Sequence, residues 1–161
     1  MPGIELNPKR KFLTRTLPDN LHCYHSAKIK LAFTGFNPDI RLKQMDERYY
    51  ITVREKNQNS THLLEMSIDE QQFKSLWDKK IAPVIEKTRF FIPLPGTLSS
   101  ELDVYEGKLA PLMLTLVTFA SQAQAQSFSP PRWLGKEVSR EGAYRGSNLA
   151  LKLKNLEERE A

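Results

Sequence analysis

The stretch Ser100-Glu101-Leu102-Asp103-Val104-Tyr105-Glu106-Gly107-Lys108-Leu109-Ala110, continued by Leu114-Thr115-Leu116-Val117-Thr118-Phe119, predicts two strands joined by a short turn that contains glycine. In the first strand Glu101, Asp103 and Tyr105 alternate with Leu102 and Val104, and a period of two residues is typical of a half-buried strand. Two acidic side chains therefore project together from one face. The alternation alone fits an enclosed face and a solvated face equally well.

Length and composition indicate a single domain in aqueous solution. The chain has 161 residues, 40% of them apolar, with no apolar run long enough to span a membrane. We expect one domain over residues 1–161, ending in a helix and a frayed tail from about residue 147. The first residues lack the pattern of a secretory signal, and the lone Cys23 has no internal disulfide partner. Both observations favour a cytoplasmic protein without a membrane partner.

The net charge of +5 arises from 24 basic and 19 acidic residues, so the basic excess is modest. Such a balance indicates an anionic partner only weakly. The positions of the basic residues along the strands carry more information than their sum.

Strands outnumber helices along the chain. Outside the central pair, extended patterns are predicted at 7–14, 29–33, 39–55 as a hairpin with its turn at 45–48, 62–68 and 81–93, and 132–138 is predicted as a compact loop or a strand. Helices are predicted from an Asp69 N-cap to about residue 79, at 120–126, and after a Ser147 N-cap; 57–60 is a polar loop and 142–146 a flexible segment. Strands and helices do not alternate regularly, which favours an antiparallel α+β or barrel architecture over a doubly wound sheet.

Several enzyme classes lack their motifs. The chain has no phosphate-cradling Gly-x-x-x-x-Gly-Lys, no dinucleotide fingerprint and no Gly-x-Ser-x-Gly. His22, Cys23 and His25 lie close together, but in a turn-rich loop we interpret this spacing as incidental rather than as a metal site.

Basic residues recur at alternate positions of several strands. They are Lys11, Arg41, Lys43, Arg54, Lys87 and Arg89. If the sheet curls into a barrel, residues of one parity face its lumen, and these side chains converge there. A cavity lined by cations would bind a polyanion such as a phosphate chain. The alternative is that each strand shows its charged side to water.

The order of these motifs resembles the CYTH domains, also called triphosphate tunnel metalloenzymes. The matching segments are Lys11-Phe12-Leu13, Arg41-Leu42-Lys43, Tyr50-Ile51-Thr52-Val53-Arg54, Lys87-Thr88-Arg89-Phe90, 101–109 and 133–138, followed by Tyr144 and Asn148. Together they span nearly the whole chain.

The resemblance implies an α+β fold in which an eight-stranded antiparallel β-barrel forms a triphosphate tunnel with flanking helices. It implies phosphate binding by Lys11, Arg41, Lys43, Arg54, Lys87, Arg89 and Lys136, with Lys11, Arg41 and Arg89 as the catalytic residues. It also implies Mg²⁺ or Mn²⁺ as the cofactor, bound by Glu65, Glu101 and Asp103.

Four positions depart from the family pattern. Asn7 and Lys9 stand where the family has glutamates before Lys11, and Glu5 could replace one of them only through an insertion; Leu116 and Thr118 replace the second glutamate pair. Because Mg²⁺ prefers a shell of hard oxygen ligands, these replacements should weaken metal-assisted hydrolysis more than anion binding.

Our leading interpretation is therefore a tunnel protein that binds inorganic triphosphate, or the triphosphate of a nucleotide or related molecule, with weakened or absent hydrolysis. One alternative is an active metal-dependent inorganic triphosphatase. Another is a basic module for RNA or long polyphosphate, which we disfavour because no aromatic residues are interleaved with the basic positions for stacking. The sequence leaves the oligomeric state open.

Overall fold

The structure is a computed structural model that describes residues 4–5, 7–56 and 61–161. The predicted polar loop at 57–60 lies outside the described residues, and so does the side chain of Glu5. No helix in the described ranges is both long enough and apolar enough to cross a membrane.

Within residues 4–5, 7–56 and 61–161, ten strands and three α-helices make up most of the regular structure. The strands are β1 (Ile4–Glu5), β2 (Lys9–Thr14), β3 (Ser26–Gly35), β4 (Asp39–Met45), β5 (Arg48–Lys56), β6 (Thr61–Ile68), β7 (Ile85–Leu94), β8 (Leu98–Tyr105), β9 (Met113–Thr118) and β10 (Leu134–Glu137). The helices are α1 (Glu70–Trp77), α2 (Gln122–Ser127) and α3 (Gly146–Glu160). Each strand pairing quoted below is antiparallel, which confirms a largely antiparallel α+β architecture.

The chain divides into two compact units. The first contains Lys28–Glu86, Gly142–Ala161 and β1. Its strands follow the order β1-β6-β5-β4-β3. Asp69 caps α1 as predicted, because its carboxylate accepts a hydrogen bond from the Gln72 amide while the Gln72 side chain accepts one from the Asp69 amide.

The second unit contains Asn7–Ala27 and Lys87–Glu141, with strands in the order β7-β8-β9-β2-β10. One face of this sheet is apolar and packs against α2. Its buried cluster consists of Phe12, Leu94, Val117, Phe119, Ala125 and Leu134. Because side chains alternate along each strand, Lys11, Lys87, Arg89, Glu101 and Asp103 lie on the opposite face.

Some expectations differ from the structure. The described part of the chain contains ten strands, including β1 paired with β6 and β10 paired with β2, so the eight strands implied by the resemblance are not confirmed. The last helix begins at Gly146, with Arg145 rather than Ser147 as its N-cap, and it continues to Glu160 instead of fraying. Glutamate and arginine are good helix formers, so a charged tail can stay helical. Within the segment expected to be flexible, residues Gly142–Tyr144 form a 3₁₀ turn.

Candidate functional site

The charged face of the second unit follows directly from strand register. Arg89 lies opposite Asp103, Phe91 opposite Glu101, and Lys87 opposite Tyr105 across β7 and β8. Residues directly opposite in an antiparallel pair share a face. The alternation predicted for the central hairpin is therefore confirmed, and it brings two basic and two acidic site residues together.

Asp103 is the centre of a buried ion-pair cluster. Its Oδ2 lies 2.7 Å from the Nζ of Lys87, and its Oδ1 accepts a hydrogen bond of 2.8 Å from the Nε of Arg89. A second bond of 3.1 Å from Nη2 makes the Arg89 contact bidentate. Lys87 is only 6% exposed and Asp103 8%, and lysine and aspartate are rarely buried this deeply unless they are paired. Glu101 adds a longer contact of 3.2 Å to Arg89.

The electrostatics of the cluster favour its charged form. Burial acts to raise the pKa of Asp103, but the charges and hydrogen bonds of Lys87 and Arg89 outweigh burial and hold this pKa below its usual value. Burial likewise acts to lower the pKa of Arg89, and the hydrogen bond to Asp103 reverses that effect and raises it. The carboxylate and guanidinium therefore remain ionised at neutral pH.

Lys11 shares this face, whereas Lys136 does not join the cluster. Lys11 lies opposite Leu116 on β9, and Leu116 lies opposite Glu101 on β8. Lys136 pairs with Glu141 at 2.8 Å, and its side chain is 64% exposed. Lys11 therefore lies on the same face of the sheet as Glu101, while Lys136 lies in a solvated ion pair.

The first unit carries a second charged face. Arg41 on β4 lies opposite Thr52 on β5, which lies opposite Glu65 on β6. Oε2 of Glu65 accepts hydrogen bonds of 3.1 Å from both the Nζ of Lys43 and the hydroxyl of Thr52. Lys43 also lies 4.8 Å from the centre of the Tyr50 ring, a cation–π contact.

Arg54 lies on the same face of β5 as Thr52 and lines a cavity of about 480 Å³. It lies opposite Asp39, and the cavity is also lined by Arg145 from the start of α3. Burial lowers the pKa of Arg54 most, the negative charge of Asp39 acts to raise it, and the positive charge of Arg145 lowers it further. The Nε of Arg54 is buried and makes no hydrogen bond to any described residue.

The three predicted metal ligands act as counter-ions. Within residues 4–5, 7–56 and 61–161, no group of three or more His, Cys, Asp or Glu side chains is arranged to hold a metal ion. Asp103 and Glu101 contact cations, and so does Glu65. As arranged, the acids do not fit a Mg²⁺ or Mn²⁺ centre built from protein ligands alone.

Several residues of these faces were not among the site residues predicted from sequence. Thr52 is fully buried and hydrogen-bonds Glu65, although it has the same parity as Arg54 and could have been included for that reason. Asp39 could also have been found, because the predicted turn at 45–48 places it opposite Arg54. Arg145 carried no comparable signal, since its position depends on how α3 packs.

A curated relative covers almost the whole chain. The chain is 38% identical over 146 residues to the inorganic triphosphatase of Nitrosomonas europaea, a match that covers 90% of this chain and 97% of the relative. No family model matches the sequence.

Solved structures with a similar fold also cover most of the chain. An inorganic triphosphatase crystal structure superposes with a TM-score of 0.72 at 34% identity, covering 93% of this chain and 97% of that one. A Pyrococcus horikoshii protein at 15% identity has a TM-score of 0.56 and covers 94% of this chain and 99% of its own. A candidate adenylate cyclase from Bacillus halodurans, at 12% identity and a TM-score of 0.57 over 76% of this chain and 84% of that one, shares the fold alone. The chain therefore belongs to the CYTH, or triphosphate tunnel, family, together with the inorganic triphosphatase of Nitrosomonas europaea.

Proposed function

We propose that the protein hydrolyses a phosphoanhydride bond of a triphosphate, with inorganic triphosphate as the first substrate to test. The proposal is carried by the 38% identity to an inorganic triphosphatase along 90% of the chain. The comparisons favour this active alternative over our leading interpretation of weakened hydrolysis. The tunnel that the family resemblance implies is part of the proposal.

The charged faces supply groups suited to a triphosphate. Phosphate oxygens accept hydrogen bonds from guanidinium and ammonium groups, and Arg41, Lys43 and Arg54 present such groups on one face of the first unit. Lys11, Lys87 and Arg89 do so on one face of the second unit. We assign phosphate binding to these six residues, and within them the stabilisation of developing negative charge to Lys11, Arg41 and Arg89.

Phosphate release from inorganic triphosphate tests this proposal, measured with Mg²⁺, with Mn²⁺ and without added metal. We expect release at enzyme-like rates in at least one condition. The three conditions also decide whether the cofactor that the resemblance implies is needed. The Arg41→Ala variant, which we expect to be inactive, is the control for contaminating phosphatases: phosphate release that is equal in this variant would contradict the proposal.

A second candidate function is binding of a triphosphate without turnover. The observation that favours it is the composition of the charged face on β9: Leu116 lies opposite both Lys11 and Glu101, and Thr118 lies opposite Lys9. By resemblance these positions belong to glutamates, and neither leucine nor threonine supplies a carboxylate. Thermal stabilisation by triphosphate, without phosphate release under any of the three metal conditions, would establish this second function.

The remaining alternative, a basic module that binds RNA or long polyphosphate, predicts a different outcome in binding experiments. Such a protein would bind single-stranded RNA tightly and would not be stabilised by inorganic triphosphate. A competition experiment between the two ligands separates this case from both functions above.

A further inference from the structure

The side chain of Lys43 crosses the middle strand of the charged face in the first unit. Lys43 lies on β4 opposite Tyr50, and Glu65 lies on β6 opposite Thr52. Since β5 separates the two charged residues, their backbones are about 10 Å apart. The Nζ of Lys43 nevertheless lies 3.1 Å from Oε2 of Glu65. The lysine therefore extends diagonally over β5, between Tyr50 and Thr52.

Two contacts hold the end of this lysine. Its ammonium lies 4.8 Å from the centre of the Tyr50 ring and 3.1 Å from the Glu65 carboxylate. The side chain of Lys43 is 15% exposed, whereas that of Glu65 is 38% exposed. A lysine in water samples many rotamers, and these contacts restrict it to a defined place. That restriction depends on the partly exposed carboxylate staying where it is.

Thr52 fixes this carboxylate from below. Its side chain is completely buried, and its hydroxyl donates a hydrogen bond of 3.1 Å to Oε2 of Glu65, the oxygen that also accepts from Lys43. A valine has the same branched shape, so the hydroxyl is what threonine adds at this position. Without that bond Glu65 could turn towards water, because an ion pair this exposed is weak by itself.

The second unit contains the same arrangement with a different fixing group. Lys87 lies opposite Tyr105, with its Nζ 5.2 Å from the ring centre and 2.7 Å from the carboxylate of Asp103. There Arg89 fixes the carboxylate through its two hydrogen bonds. In each unit a lysine is thus held between a tyrosine ring and a carboxylate, and a third side chain holds that carboxylate. Thr52 has in the first unit the place that Arg89 has in the second.

We propose that Thr52 is a positioning residue for phosphate binding: it fixes Glu65, and Glu65 holds Lys43 where its ammonium meets a phosphate oxygen. The inference rests on the proposed function, from which it takes the role of Lys43. It adds a residue that acts only through its neighbours. An ammonium that is already held in place loses less conformational freedom on binding, and the affinity for the anion rises accordingly.

Calorimetric titration with inorganic triphosphate tests the inference. Thr52→Val removes the hydroxyl and keeps the shape, and we expect it to weaken binding about fivefold or more. Thr52→Ser restores the hydroxyl and should recover most of the lost affinity. Thr115→Val is the matched control, because Thr115 is an equally buried strand residue whose hydroxyl contacts Thr14 on the apolar face. This control should change the affinity by less than about twofold, even if it lowers the melting temperature.

A double-mutant cycle separates positioning from a general structural effect. In a Glu65→Ala background, Thr52→Val should change the affinity by less than about twofold, because the carboxylate through which it acts is gone. The same should hold in a Lys43→Met background. A merely structural role would weaken binding by the same factor with and without Glu65.

Full affinity in Thr52→Val, or an equal loss in the intact and Glu65→Ala backgrounds, would overturn the inference and leave the proposed function in place. If the intact protein itself does not bind inorganic triphosphate, the proposed function and the inference both fail.

Discussion

Asp103 shows how much a single residue contributes to this site. Its carboxylate contacts Lys87 and Arg89 at 2.7 and 2.8 Å in surroundings that exclude most water. Removing one partner of a buried ion pair is costly because the remaining charges stay buried. The ion pairs of Asp103 should therefore contribute strongly to the stability of this face.

We expect Asp103→Asn to lower the free energy of unfolding by about 3 kcal/mol, because the negative charge that faces two buried cations is lost. Urea unfolding measures the change. Added triphosphate should restore more stability to the variant than to the unmodified protein, since an anion then replaces the missing charge. Glu101→Gln is the control: Glu101 is 38% exposed and its ion pair should contribute less than about 1 kcal/mol. Equal losses in the two variants would contradict this assignment.

The pH dependence of stability should report the same carboxylate. The pKa of Asp103 is lower in the folded protein than in the unfolded chain, so its contribution is present above the unfolded value, about 4, and is lost as the pH falls through the folded value. The difference in unfolding free energy between the unmodified protein and Asp103→Asn should therefore be full at pH 6 and shrink below about pH 4. Urea titrations at several pH values measure it. A difference that does not change with pH would mean that Asp103 stabilises the fold by means other than its charge.

At the scale of the elements, the pairing of β10 with β2 depends on one glycine, Gly135. The register between β10 and β2 shifts between Leu134 and Glu137, and a Cβ on Gly135 would collide with the carbonyl oxygen of Leu13. A backbone atom cannot move aside as a flexible side chain can. The strand therefore requires glycine at this position.

Gly135→Ala should detach β10 from β2 and expose the amides that follow, including that of Val138, which donates to the carbonyl of Lys11 at 2.8 Å. Hydrogen exchange of these amides should accelerate, while exchange in β7 and β8 stays slow. Gly142→Ala is the matched control, because a Cβ there meets only the Asn148 amide group at 3.7 Å. Unchanged protection of Val138 in Gly135→Ala would show that the close approach is relieved in another way.

Sequence patterns predicted the elements better than they predicted their ends and partners. The hairpin of β4 and β5, the Asp69 cap and the alternation along β8 follow from local periodicity and turn chemistry, and the structure confirms them. The two-residue strand β1 has no period to detect, and the start of α3 lacks a side-chain cap that would mark it. Parity grouped Arg41 with Lys43 and Lys87 with Arg89, but it could not show that Asp103 is held by Lys87 and Arg89, because that depends on register between strands.

At the scale of the whole molecule, a bound polyanion should stabilise the fold. A ligand that binds only the native state adds about 2.7 kcal/mol at a concentration of one hundred times its dissociation constant. Because the cations supply the attraction, we expect the thermal shift with inorganic triphosphate to decrease as the salt concentration rises.

Arg41→Ala should abolish most of this shift while the protein still unfolds cooperatively; thermal unfolding monitored by circular dichroism measures both. Lys79→Ala removes one positive charge from an exposed position after α1 and should keep the shift, which separates a local contact from the net charge. A full shift in Arg41→Ala would move the anion site away from β4.

The carboxylate of Asp103 also has a consequence for selectivity among cellular anions. Since it already pairs with both Lys87 and Arg89, an anion that bound these two cations would have to compete with the negative charge of Asp103. An orthophosphate ion, which can make few contacts, would compete poorly with this carboxylate even at high concentration. A molecule with several linked phosphates could contact additional cations at the same time and so compete better with the Asp103 carboxylate. The protein would then bind anions with several linked phosphates in preference to anions with one.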